Sequence, residues 1–169
     1  MRIPDRIIGL LKRFFKFVLR TGISPHGRFT FTLRDLAGNI VGQKVYDNIV
    51  VNVAKNLFAG RINGEVVYTG AINYLALGTG SNTPASTDTT LQTEIARKAP
   101  QAGQTRTNNQ VSFEFYFAPT EAIGNLKEVG AFIDGTASAD TGALFDRAAI
   151  DVAKTSLNSL TVTLLVTVS

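Results

Sequence analysis

A chain of 169 residues that is 44% hydrophobic, with eleven Phe, no Trp and no Cys, is long enough for one domain with a core of its own. The absence of cysteine excludes a disulfide scaffold, a thiolate zinc site and a cysteine nucleophile. The net charge of +4 is unevenly spread: residues 1–20 hold Arg2, Arg6, Lys12, Arg13, Lys16 and Arg20 against Asp5 alone, and the other 149 carry 11 basic and 12 acidic side chains. The body is therefore neutral, which argues against nucleic-acid binding by a whole face.

Residues 5–20 read as an amphipathic helix. Arg6, Gly9, Arg13, Lys16 and Arg20 fall three or four apart on one side, and Ile7, Leu10, Leu11, Phe14 and Phe17 belong to a wide apolar arc on the rest. Charges at Lys12, Arg13 and Lys16 break any run fit for a signal peptide or a membrane span. Three roles stay open for this arm. It docks into a partner or sister subunit, it caps its own domain, or it lies on an anionic membrane surface. Docking is the favoured expectation, with the five apolar residues buried and Arg6, Arg13 and Lys16 against an acidic surface.

Residues 23–27 read as a linker holding His26, the single histidine. Phe29, Phe31 and Leu33 alternate with polar residues as a half-buried strand, and Ile40 to Tyr46 returns as its hairpin partner. Asp47 or Asn48 is a candidate cap for a helix over 51–61, with Val53, Leu57 and Phe58 facing inward. A short strand is expected at 66–68 and a firmer one at 72–77. Gly78-Thr79-Gly80 makes a turn, a polar loop runs to Thr87, and a second short helix is expected from Asp88 to Arg97. Residues 99–110 read as loop. Val111, Phe113, Phe115 and Phe117 share one face of the clearest strand, and further strands are expected at 126–134, 143–150 and 160–168.

The expected fold is mainly β: an antiparallel β-sandwich or distorted barrel of seven to eight strands with two short helices, residues 23–169, behind an N-terminal amphipathic anchoring helix, residues 1–22. Catalytic signals are poor. His26 has no triad setting, Gly78-Thr79-Gly80 lacks the rest of a phosphate loop, and Asp134 and Asp140 lack the spacing of a calcium loop. No enzyme activity, cofactor or metal is expected.

One set of residues carries a resemblance. Ala76-Leu77-Gly78-Thr79-Gly80, Pro84, Asp88-Thr89, Leu91, Glu94 and Arg97, then Lys127 to Phe132, Leu144 to Ala148 and Leu160 to Thr163, resemble a recurrent segment in virion structural proteins of tailed bacteriophages. These are tail-fibre, minor-tail or neck-type proteins. The resemblance spans about residues 40–168 and leaves out the basic arm. It implies a non-enzymatic particle component, located in the virion, present in several copies as a homo-oligomer and docked to other virion proteins. Tail, neck or fibre attachment is the first expectation. Capsid decoration is the second, and a membrane-associated module is a different class. Host-receptor contact through the loops at 78–87 and 135–142 is open. The same resemblance motivates a structural ion pair between Arg97 and Glu128.

Overall fold

Period-two apolar patterning dominates the chain, and the chain folds accordingly. The computed structural model describes residues 25–101 and 104–169. The arm, with Arg6, Ile7, Leu10, Leu11, Arg13, Phe14, Lys16 and Phe17, lies outside the described residues. Ten strands and one helix follow in order: β1 (Pro25–Arg34), β2 (Ile40–Asp47), β3 (Ile49–Val50), α1 (Asn52–Ile62), β4 (Ile72–Gly78), β5 (Glu94–Lys98), β6 (Thr105–Thr107), β7 (Gln110–Phe117), β8 (Gly124–Ile133), β9 (Ala143–Lys154) and β10 (Ser159–Val168).

They form two five-stranded antiparallel sheets, ordered β2-β1-β10-β7-β6 and β3-β9-β8-β4-β5. The sheets stay separate, so the sandwich is the correct alternative of the two expected. Between them lies one core. Phe29, Phe31, Phe115, Phe117, Leu160, Val162 and Leu164 come from the first sheet, and Leu75, Leu77, Val129, Ala131, Phe145 and Val152 from the second. Apart from Ala131, each of these side chains contributes about 1.5–3 kcal/mol by leaving water.

The chain changes sheet at Asn48, between β2 and β3. Asn48 Oδ1 accepts from the Gly27 N–H at 2.8 Å, and its Nδ2 donates to Asp146 Oδ2 in the opposite sheet. A Cβ on Gly27 would stand 2.3 Å from that amide, so the crossing requires glycine there. Asn48 is thus a tie between sheets rather than a helix cap. Asp47 pairs with Arg28, and α1 starts after Val51 with no side-chain cap. The buried position of α1 is Ala54; Val53 and Leu57 are half-buried and Phe58 is exposed but edge-on to Phe145.

Four expectations need correction. Residues 66–68 form no strand, whereas part of the expected loop at 99–110 pairs as β6 with β7. His26 lies on β1 opposite Thr167, so residues 25–27 are strand and not linker. The helix expected over 88–97 is absent: Glu94–Lys98 is strand β5, paired with β4. The register shift between Leu77 and Gly78 leaves Ile95 as an extra residue. That bulge turns Glu94 and Arg97 to the same side. The i,i+3 spacing that suggests a helix is here produced by a bulged strand.

Candidate functional site

Several of the residues that carry the resemblance, among them Gly78, Gly80, Asp88, Leu91, Glu94, Arg97, Glu128 and Arg147, gather on the outer face of the second sheet, whereas Leu160 to Thr163 lie on β10 of the first. Leu75, Leu77, Ala131 and Phe145 point into the main core; Ala76, Phe132 and Leu144 alternate with them and point the other way. With Val51 and Leu91 they form a second, smaller core. The loop from Thr79 to Thr93 lies across this face, and Leu91 is its apolar plug, 4% exposed.

A buried ion network fastens the loop. Glu128 Oε2 receives Arg147 Nη2 at 2.6 Å, and both side chains are 1% exposed. The same carboxylate accepts backbone N–H groups of Gly80 at 3.0 Å, Gln92 at 2.9 Å and Thr93 at 2.7 Å. Three donors and a guanidinium satisfy a charge that burial alone would penalise by several kcal/mol. Arg147 also reaches Asp88 Oδ2 at 2.5 Å and Asn82 Oδ1, so it holds both the start and the middle of the loop. Its Nε has no hydrogen-bond partner. Gly78 and Gly80 are glycines for a steric reason: a Cβ at either would stand 2.4 or 2.5 Å from Glu128 Oε1.

A second clamp sits beside the first. Arg97 Nε is 2.6 Å from Glu94 Oε1 and its Nη2 is 2.8 Å from Oε2, a bidentate pair with both side chains 3% exposed. Arg97 Nη1 donates to the carbonyls of Thr136 and Thr141, and the guanidinium lies 4.8 Å from the Phe132 ring centre. The 134–142 loop is therefore tied down. The expected pair between Arg97 and Glu128 does not form, because each finds a nearer partner, Glu94 and Arg147.

Asp146 and Arg147 are neighbours in sequence yet face opposite sides of the sheet. Arg147, opposite Gly130, turns outward; Asp146, opposite Ala131, turns toward the first sheet. Burial pushes the Asp146 carboxyl up to about 8, only partly offset by the Ala131 N–H and the Asn48 amide. Lys154 is 1% exposed and donates to the carbonyls of Ala118 and Pro119; burial holds its ammonium below the ordinary lysine value. Sequence reasoning offered Asn48 only as a helix cap and assigned no individual role to Asn82, Asp146, Arg147 or Lys154. The available signal was charge inside a strand that is otherwise apolar, since such charges are rarely buried without partners.

No family model, curated protein or solved structure matches the chain.

Chemically, the arrangement holds loops in place. Glu94, Asp88 and Glu128 are each engaged by an arginine. Asp134 accepts from Thr69, and Asp140 donates its N–H to Glu94; both adopt positive φ, as turn residues do. Among the described residues no group of His, Asp or Glu is arranged to hold a metal ion. Among them, too, no helix is long and apolar enough to cross a membrane.

Proposed function

We propose that the protein is a non-enzymatic structural component of a tailed-phage particle, located in the virion at a tail, neck or fibre attachment point. It assembles in several copies, with its arm and β-domain docked onto other virion proteins. The resemblance over residues 40–168 supports this reading. One structural observation carries it: Gly78, Gly80, Asp88, Leu91, Glu94, Arg97, Glu128 and Arg147 are spent on packing and ion pairs inside the domain. Carboxylates engaged in this way serve as architecture and not as acid or base, and the loops they pin offer a rigid surface for neighbours.

Antibody-gold labelling of purified particles, with mass spectrometry of the same preparation, tests the reading. Label at the tail or neck supports it. Label over the head moves the protein to capsid decoration. Absence of its peptides from the particles overturns the virion assignment.

A further inference from the structure

The two sheets end in four edge strands, β2 and β6 in the first, β3 and β5 in the second. Three of these are blunted in ways that keep an edge from pairing. β6 has three residues, β3 has two, and β5 is broken by its bulge at Ile95. β2 has eight residues, none of them proline, and carries Ile40, Val41 and Val45, each more than half exposed.

The backbone groups that β2 leaves free follow from its pairing. The Asn48 N–H donates to the Gly27 carbonyl at 3.3 Å, so those two residues form a hydrogen-bonded pair. Bonded and non-bonded pairs alternate along an antiparallel ladder. Phe29–Tyr46 and Phe31–Lys44 are then bonded pairs, and Gln43, Val45 and Asp47 turn their N–H and C=O groups away from β1. Among the described residues no strand pairs with that side. The register shift between Leu33 and Arg34 makes Val41 an extra residue, so the regular stretch runs from Gly42 to Asp47. The same stretch is fixed from within. Lys44 Nζ donates to Asp151 O at 2.5 Å, and the Tyr46 hydroxyl donates to that carbonyl and accepts the Asp151 N–H, both at 3.0 Å. Side chains of β2 thus cap the backbone of β9, while the edge of β2 itself stays open and rigid.

We propose that this edge pairs antiparallel with β2 of a second copy, about a two-fold axis at Val45, joining two five-stranded sheets into one. The sequence is self-complementary in that register. Val45 meets the partner's Val45, Gln43 meets the partner's Asp47, and Lys44 meets the partner's Tyr46, so no charge faces its like. Other axes lose this match. An axis at Lys44 sets two ammonium groups opposite each other, one at Gln43 draws the bulge at Val41 into the ladder, and one at Tyr46 sets Val45 against the partner's Asp47. A foreign strand meets the same edge without the fit that β2 has for itself. The inference concerns the protein in solution and does not rest on the virion reading.

Because the full-length chain has no cysteine, introduced thiols test the register directly. In the proposed dimer the two Val45 Cα atoms stand about 5.5 Å apart, within disulfide reach, whereas the two Gln43 Cα atoms are four residues out of register and about 14 Å apart. Mild oxidation should link Val45→Cys into a dimer and leave Gln43→Cys unlinked. Sedimentation equilibrium of the unmodified chain should show monomer and dimer in exchange. Val45→Lys, at an exposed position, should raise the dissociation constant at least ~10-fold, and Ile62→Lys, on the exposed side of α1, should leave it unchanged. The proposal is overturned by a chain that stays monomeric up to ~1 mM, or by a Val45→Cys variant that links no better than Gln43→Cys. An association that survives Val45→Lys, or that Ile62→Lys weakens instead, also overturns it, since the contact then lies elsewhere.

Discussion

Arg147 and Glu128 meet 2.6 Å apart on the outer face of the second sheet, each 1% exposed, and the loop over 79–93 is built around their contact. Removing one partner leaves the other charge buried. Glu128→Ala should therefore cost about 3–5 kcal/mol in urea unfolding. Arg147→Met should cost a similar amount, and the double variant less than the sum of the two. Additive losses would mean that the two side chains act independently.

Gly80 faces the same carboxylate. A Cβ there meets Gln92 Cβ at 2.4 Å and Glu128 Oε1 at 2.5 Å. Gly80→Ala should cost about 1–3 kcal/mol through this overpacking. Faster amide exchange at Gln92 and Thr93, whose N–H groups bond Glu128, should accompany the loss. Unchanged exchange would show that the loop is held elsewhere.

Arg97→Met should leave the sandwich folded but free the 134–142 loop, because the guanidinium is what ties Thr136 and Thr141 to Glu94. The expected cost is about 3–5 kcal/mol for a buried carboxylate left alone. Limited proteolysis should cut first between residues 134 and 142; an uncut loop in the variant would count against the clamp.

Asp146 gives the fold a pH dependence of definite sign. Burial raises its carboxyl from 3.8 to about 8, so the folded state keeps a proton that the unfolded chain loses. Stability from this group is complete below pH 3.8, declines as pH rises and is gone above about 8. The steepest decline is about 1.4 kcal/mol per pH unit. Asp35, Glu121 and Asp151 are held below their ordinary values by hydrogen bonds to Asn39, Lys98 and Lys127 respectively, so their contributions fade at the acid end instead. Between pH 5 and 8, unfolding free energies of wild type and Asp146→Asn should diverge, with the flatter profile in the variant. Parallel profiles would refute the assignment.

Deleting residues 1–20 should leave the body folded, since residues 25–169 supply both five-stranded sheets and the apolar rows between them. Far-UV circular dichroism should keep its β signature. Incorporation into particles should be lost; normal incorporation would remove the arm from the docking interface.

By itself the sequence determined the strand-rich class, the hairpin of β1 and β2, and the inward rows on β1 and β7. Those follow from period-two alternation, which is local and depends only on one face meeting a core. The resemblance, rather than any periodicity, grouped Gly78, Gly80, Leu91, Glu94, Arg97 and Glu128. Only the tertiary structure decided how. Glu94 and Arg97 sit three apart, as a helix would place them, yet a single extra residue at Ile95 brings them to one side of a strand, and bulges depend on the partner strand rather than on the segment. Arg97 and Glu128 took other partners, because pairing is chosen by distance across the folded sheet: Glu94 is on Arg97's own strand and Arg147 is on the strand beside Glu128. The opposed facings of Asp146 and Arg147 also came from pairing, with Ala131 and Gly130 as their register partners. Alternation in one strand says that two neighbours face apart; it does not say which one meets the core, which one meets a loop, or what waits there to neutralise the charge.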